Sequence, residues 1–249
     1  MTVAKYSANG NDFVIFHAFT DVDRSAAARK LCHRQEGVGA DGLIVLLPHE
    51  EYDFRWQFYN ADGSEAAMCG NGSRAAAHYA HAHGLAPASM RFLTGAGVIA
   101  AEVEGDVVTS GLTPPVIVDK KIDEEGERWW LIDTGVPHLV ALRESVETFD
   151  LARARALRER YNANVNVCAV EEDLMRVRTY ERGVEDETLA CGTGMAACFY
   201  RAHLEGRAPG KMTVVPTGGE RVELAVSGET LTLKGAVRHT FDAELFLGF

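Results

Sequence analysis

Two cysteines in a repeated setting are the residues of this chain best placed to do chemistry. Ala67-Met68-Cys69-Gly70-Asn71-Gly72-Ser73-Arg74 and Leu189-Ala190-Cys191-Gly192-Thr193-Gly194-Met195-Ala196 share a Cys-Gly-x-Gly core, and the cysteines lie 122 positions apart. The offset persists downstream, where Gly84-Leu85-Ala86-Pro87 with Met90 returns as Gly206-Arg207-Ala208-Pro209 with Met212. Upstream, Tyr59-Asn60 leads to Cys69 as Tyr180-Glu181 leads to Cys191, one residue out of step. Each cysteine precedes an Ala-rich segment that should be helical, so unsatisfied N–H groups and the helix dipole favour a thiolate there. The Gly-x-Gly that follows lets backbone N–H groups approach a carboxylate closely. Two such sites facing each other across a pseudo-dyad would set a sulfur on each side of one ligand. A thiolate could then remove a proton from one face of a carbon while a thiol returns one to the other face. The helix N-termini would stabilise the enolate-like charge that develops. Stereoinversion without a cofactor is the sharpest chemistry these residues suggest. The third glycine and the βαβ context of a dinucleotide fingerprint are missing.

The elements that must position these groups are legible in outline. Phe54, Trp56 and Phe58 alternate with Arg55, Gln57 and Tyr59 as a half-buried strand, and Asn60-Ala61-Asp62-Gly63-Ser64 turns the chain toward Cys69. A helix from about Gly72 to His83 stops at Gly84, with Pro87 beyond it. Asp21 to Arg34 reads as a surface helix, and Phe13 to Phe16, Leu43 to Leu47 and Asn164 to Val167 as strands. Asp150 can cap a helix whose apolar stripe is Leu151, Ala154, Leu157 and Tyr161. The charge run Lys120 to Arg128 suits a solvated hairpin tip, and Asp133 to His138 reads as a loop. The expected class is α+β (α/β): two pseudo-symmetric halves, each a mostly antiparallel sheet around a central helix. The halves are expected at 1–112 and at 113–239, with Thr113-Pro114-Pro115 at the boundary.

Bulk properties narrow the field of partners. A net charge of −11 in 249 residues argues against nucleic acid and anionic membrane surfaces, and any bound carboxylate needs local donors. No apolar run is long enough to span a bilayer and no signal-peptide pattern opens the chain, so a cytoplasmic location is expected. Five cysteines form no disulfide framework, and neither Cys-x-x-Cys nor a zinc-type Cys/His spacing occurs, so no metal site is expected. Cys32, Cys168 and Cys198 read as inert small hydrophobes, and His78, His81 and His83 as surface or core histidines. His138 is a supporting candidate, and Glu181-Arg182, ahead of Cys191, should face a ligand.

The motifs resemble those of the diaminopimelate epimerase family. Asn60-Ala61-Asp62-Gly63-Ser64 through Met68-Cys69-Gly70-Asn71-Gly72-Ser73-Arg74 is similar to its first signature. Tyr180-Glu181-Arg182-Gly183 through Ala190-Cys191-Gly192-Thr193-Gly194 is similar to its second. Gly10-Asn11-Asp12-Phe13, Gly135-Val136-Pro137-His138 and Asn164-Val165-Asn166 fall in the expected order, so the resemblance covers nearly the whole chain. It implies a pyridoxal-independent epimerase interconverting LL- and meso-diaminopimelate, without a cofactor, on the bacterial route to lysine and cell-wall cross-links. It implies Cys69 and Cys191 as the acid/base pair, and a chain whose extreme C-terminus, 240–249, returns to the first half with Phe241 to Phe249 as a strand. It further implies substrate contacts from Asn11, Asn60, Gly70, Asn71, Asn164, Glu181, Arg182, Gly192 and Thr193. The chain departs from the family pattern at three places. Ala8 stands where Gly is frequent, Gly42 where many members have a substrate-contacting Gln, and Val136 where many have Asn. The last two remove side-chain amides expected at the substrate's distal end.

Two other readings compete. A racemase of another amino acid, such as proline or histidine, would share the scaffold, although proline racemases typically carry His after the first Cys-Gly. A non-catalytic amino-acid-binding or thiol-redox protein would use the two sulfurs without turnover. A homodimer is compatible with the sequence, and the sequence does not say which cysteine is ionised at rest.

Overall fold

The computed structural model of the chain describes residues 1–228 and 230–246. It divides into two units, Met1–Gly111 with the segment beginning at Gly235, and Leu112–Lys234. The first unit runs β1 (Thr2–Ala8), β2 (Asn11–His17), α1 (Ser25–Cys32), β3 (Gly42–Leu47), β4 (Phe54–Asn60), α2 (Gly70–Ala82), β5 (Ser89–Thr94), β6 (Gly97–Glu104) and β7 (Val107–Gly111). The second runs β8 (Val116–Glu124), β9 (Glu127–Asp133), β10 (Pro137–Arg143), α3 (Leu151–Tyr161), β11 (Asn164–Val170), β12 (Leu174–Glu181) and β13 (Asp186–Thr188). It continues with α4 (Gly192–Leu204), β14 (Lys211–Pro216), β15 (Val222–Ser227) and β16 (Thr230–Ala236). A last strand, β17 (Arg238–Glu244), pairs antiparallel with β1.

Strand order shows the repeat. The first unit is ordered β17-β1-β2-β3-β4-β5-β6-β7, with parallel pairs only at β2–β3 and β4–β5. The second is ordered β8-β9-β10-β11-β12-β14-β15-β16, with parallel pairs at β10–β11 and β12–β14, the same two junctions. A parallel pair needs a crossover, and helices supply all four. α1 and α3 bridge the first parallel junction of each unit, and α2 and α4 the second.

α2 and α4 are the central helices, and their composition explains it. α2 carries small residues on every face, and Ala75, Ala76, Ala77 and Ala80 are all fully buried. They pack in one core with Tyr6, Ile44, Phe92 and Val108, drawn from strands across the unit. A helix without a polar stripe belongs inside a sheet. Burying each large apolar side chain there contributes about 1.5–3 kcal/mol. α4 repeats the arrangement with Met195, Ala196, Ala197, Phe199 and Ala202 buried. The expected fold class is the one observed: a mostly antiparallel sheet around one long helix, twice.

Local chemistry sets the ends of the elements. Asp150 caps α3, its carboxylate accepting the N–H groups of Ala152 and Arg153. Glu125 and Gly126, both with positive φ, form the β8–β9 turn inside the charge run, as a two-residue hairpin loop demands. α1 is shorter than the expected Asp21–Arg34 helix, because Asp23 accepts the Ser25 N–H and Oγ and holds the chain out of the helix until Ser25. α2 starts at Gly70, two residues earlier than expected. His138 lies not in a loop but inside β10, fully buried, because Pro137 occupies the first strand position, where no donor is required. The strand expected from Phe241 to Phe249 lies partly in β17, and residues 247–249 fall outside the described residues. No helix of the described residues is long and apolar enough to cross a membrane.

Candidate active-site groups

In the first unit, β2 and β3 run parallel and β4 returns antiparallel, so the start of β2, the start of β3 and the end of β4 share one end of the sheet. Asn11 opens β2, and Asn60 closes β4 opposite Gly42. A turn through Gly63 (φ +84°) then carries the chain toward α2. Cys69 is the N-cap of α2, extended at φ −149° and ψ 117°, and its sulfur accepts the Gly72 N–H at 3.4 Å. That donor and the positive helix end both favour a negative sulfur. Asn71, in the buried first turn beside Gly70, donates its amide to Asn11 Oδ1 at 2.7 Å. Asn60 turns outward and donates to Ser64 Oγ at 3.0 Å.

A charged cluster anchors Asn11 from the other side. Its amide donates to Asp41 Oδ2 at 3.1 Å, and Asp41 also accepts Arg34 at 2.7 Å. Arg34 and Lys5 both reach Asp12. Burial pushes the Asp12 carboxyl up, but hydrogen bonds from Arg34 and Lys5 outweigh it and bring it down to about 2. Gly42 belongs to this sheet end, and a Cβ on it would lie 2.6 Å from Phe58 Cε2 and 2.9 Å from the Tyr59 carbonyl. The Phe58 ring therefore occupies the space that a glutamine side chain at 42 would enter.

The second unit builds the same sheet end from different side chains. His138 near the start of β10 pairs with Asn164 at the start of β11, and Glu181 closes β12. Asn164 Oδ1 accepts the Arg182 backbone N–H at 2.8 Å, while the Arg182 guanidinium donates to the Asn162 carbonyl at 2.9 Å. Cys191 is the N-cap of α4, extended at φ −127° and ψ 108°, and buried, with Gly192 and Thr193 in the first turn. Its sulfur lies 3.5 Å from Thr193 Oγ1.

Behind Thr193 the hydrogen bonds run in one direction. Asn166 Nδ2 faces the carbonyls of Leu139 and Asn164 at 3.3 Å each, which can only accept, so its amide orientation is fixed. Thr179 donates to Asn166 Oδ1 at 2.9 Å, and Asn166 donates to His138 Nδ1 at 3.0 Å. His138 must then carry its proton on Nε2 and donate to Thr193 Oγ1 at 3.0 Å, leaving the Thr193 hydroxyl proton for the sulfur. Burial, assisted by the charge of Arg182, pushes His138 down to about 3, so the ring stays neutral.

Each unit thus gathers its own expected residues. Asn11, Cys69, Gly70 and Asn71 meet in the first with Asn60 at the same sheet end, and His138, Asn164, Arg182, Cys191, Gly192 and Thr193 meet in the second with Glu181 closing β12. Sequence reading did not single out Asp41, Arg74, Asn166 or Thr179, which hold these groups in place. Asn166 carried a signal, since it lies two residues after Asn164 on the same face of a strand. Arg74 carried another, as a long cation in a repeat whose second copy has Ala196.

Known proteins show the same pattern at the level of whole chains. The family described as Diaminopimelate epimerase matches residues 3–118 and 130–240. The diaminopimelate epimerase of a Nitratiruptor species is 63% identical over 243 residues, covering 97% of each chain. That of Helicobacter pylori is 42% identical, covering 96% of this chain and 94% of its own. Among solved structures, a probable proline racemase from Agrobacterium radiobacter superposes with a TM-score of 0.76 at 16% identity, covering 99% of this chain and 93% of that one. A PhzF-family phenazine biosynthesis protein of Bacillus anthracis superposes at 0.75 and 17% identity, covering 99% of both. At such identities these two structures share the fold.

Proposed function

The chain belongs to the diaminopimelate epimerase family, and from that membership we propose that it interconverts LL- and meso-diaminopimelate with Cys69 and Cys191 as its acid/base pair. The observation that carries the reading is the equivalence of the two cysteines. Each is the extended N-cap of a buried central helix, reached from the same end of the same strand in a repeated sheet. A substrate α-proton passes to one sulfur as a thiolate, the α-carbon's electron pair spreads into the carboxylate, and the other sulfur returns a proton to the opposite face. The thiolate and thiol exchange places in each turnover, so the reverse reaction uses the same groups. N–H groups of the first turns at Gly70, Asn71, Gly192 and Thr193 receive the carboxylate charge, and Glu181 supplies the carboxylate that an α-ammonium needs. Asn11, Asn60, Asn164 and Arg182 complete the substrate contacts. His138, held neutral, takes no part in proton transfer and serves as a fixed donor to Thr193. The proposed setting is the cytoplasm, where meso-diaminopimelate feeds lysine and peptidoglycan synthesis.

The test is incubation with LL-diaminopimelate in D₂O without added cofactor. Deuterium should enter one α-carbon, and Cys69→Ser and Cys191→Ser should each lower turnover by at least about a hundredfold. Exchange at the wild-type rate in both variants would overturn the mechanism. Exchange on proline or histidine in place of diaminopimelate would overturn the substrate.

A further inference from the structure

Arg74 is fully buried in the first turns of α2, an expensive place for it. A buried cation loses hydration, and near a helix N-terminus it sits at the unfavourable end of the dipole. The fold itself does not ask for it. The repeat places Ala196 at the same position of α4, and that helix buries equally well with a methyl group there.

One difference between the two helices lies where Arg74 reaches, one turn earlier, with Asn71 against Thr193. A hydroxyl rotates to suit its partners, whereas an amide must be held in one of two orientations. Arg74 Nη1 donates to the Gly70 carbonyl at 3.1 Å, and Nη2 donates to Asn71 Oδ1 at 2.9 Å. A guanidinium only donates, so the Asn71 oxygen faces Arg74 and its nitrogen faces away. That nitrogen donates to Asn11 Oδ1 at 2.7 Å, and Asn11 in turn donates to Asp41 Oδ2 at 3.1 Å, a group that only accepts. A donor-only group at one end and a carboxylate at the other leave both asparagines a single orientation.

We propose that Arg74 is a positioning residue that fixes the amides of Asn71 and Asn11 with their second N–H groups toward the ligand, so that this part of the site takes a carboxylate. The proposal rests on the reading of these two asparagines as substrate contacts. With either amide turned over, an oxygen would face the ligand and favour an ammonium group instead.

Two experiments decide it. The first needs no substrate: the side-chain ¹⁵N–¹H amide signals of Asn71 and Asn11 should be well resolved and slow to exchange in the wild type, and shifted and faster in Arg74→Lys. Unchanged signals for both residues would overturn the proposal whatever the enzyme turns over. The second is a mutant cycle on KM and kcat for LL-diaminopimelate with Arg74→Met, Asn71→Ala and the double variant. Arg74→Met should raise KM about tenfold with kcat within roughly threefold, and change KM by less than about twofold in the Asn71→Ala background. An equal KM effect in both backgrounds would mark Arg74 as merely structural and overturn the proposal. If Arg74→Met does not fold, Arg74→Lys carries the same cycle. A wild type that leaves LL-diaminopimelate unexchanged in D₂O defeats the functional reading, while the amide signals still judge Arg74.

Discussion

Burial keeps His138 from taking a second proton across the range in which most imidazoles titrate, from its ordinary 6.5 down to about 3. The unfolded chain has no such restraint. Between those values the unfolded state binds more protons at this residue, so acid favours unfolding and stability rises with pH. His138 should therefore contribute a loss of up to about 1.4 kcal/mol per pH unit as pH falls through this window. Asp12 follows the usual carboxylate sense, its contribution being present above 3.8 and lost as pH falls toward about 2. Urea midpoints measured from pH 7 to 4 should fall steeply in the wild type and less steeply in His138→Gln, with equal slopes counting against a buried neutral ring. The residue scale is also where sequence reading stopped short. The two N-cap cysteines were legible because capping is local and the repeat printed it twice. The partners of His138 and Asn71 were not, since Asn166 lies 28 residues from His138 and Asn11 lies 60 residues from Asn71, and no periodicity encodes such distances.

At the scale of elements, the two Gly-x-Gly turns look interchangeable in sequence and differ in their surroundings. A Cβ on Gly72 would meet Ile44 Cδ1 at 3.2 Å, the end of a side chain that can yield. A Cβ on Gly194 would lie 2.4 Å from Asn166 Oδ1 and 3.3 Å from His138 Cε1, inside the chain of hydrogen bonds that ends on Cys191. The other neighbours of a Gly72 Cβ, Cys69 Cβ at 3.4 Å and Sγ at 3.6 Å, are at ordinary contact distance, so Gly72→Ala should be nearly neutral in stability, its strain offset by about 1 kcal/mol of helix propensity. Gly194→Ala should lower stability by about 2–3 kcal/mol and reduce kcat/KM more than tenfold. Thermal midpoints and initial rates for the pair check this, and equal behaviour would show that the surroundings of Gly194 are softer than they look. Strand alternation, the Asp150 cap and the β8–β9 turn were readable because their signals lie within a few residues. The sequence around His138 predicts a loop, because Pro137 usually marks one, and only pairing with β9 and β11 makes it a strand.

At the scale of the whole chain, the repeat is threaded unevenly. The edge next to β9 in the second unit is filled by β8, which precedes it, whereas the equivalent edge next to β1 is filled by β17, the last strand among the described residues. The Met1 and Leu245 backbones exchange hydrogen bonds of 3.0 and 2.8 Å, and the His239 ring stacks on Tyr6 at 5.0 Å. A chain ending at Val237 should leave β1 as a bare edge, lower the melting temperature by several degrees (roughly 4–8 °C for each kcal/mol lost in a small domain) and aggregate on standing. Calorimetry and light scattering of that truncation provide the check, and an unchanged melting curve would show that β17 merely decorates the sheet. The threading also bears on birth at the ribosome, where residues emerge at about 5–20 per second and early domains usually finish first. Here the half translated earlier must wait for β17, which follows every strand of the other half, to receive its missing strand, while that other half has all of its strands beforehand. The earlier-made half is the later to be completed, and its β1 edge stays open to other strands until β17 emerges.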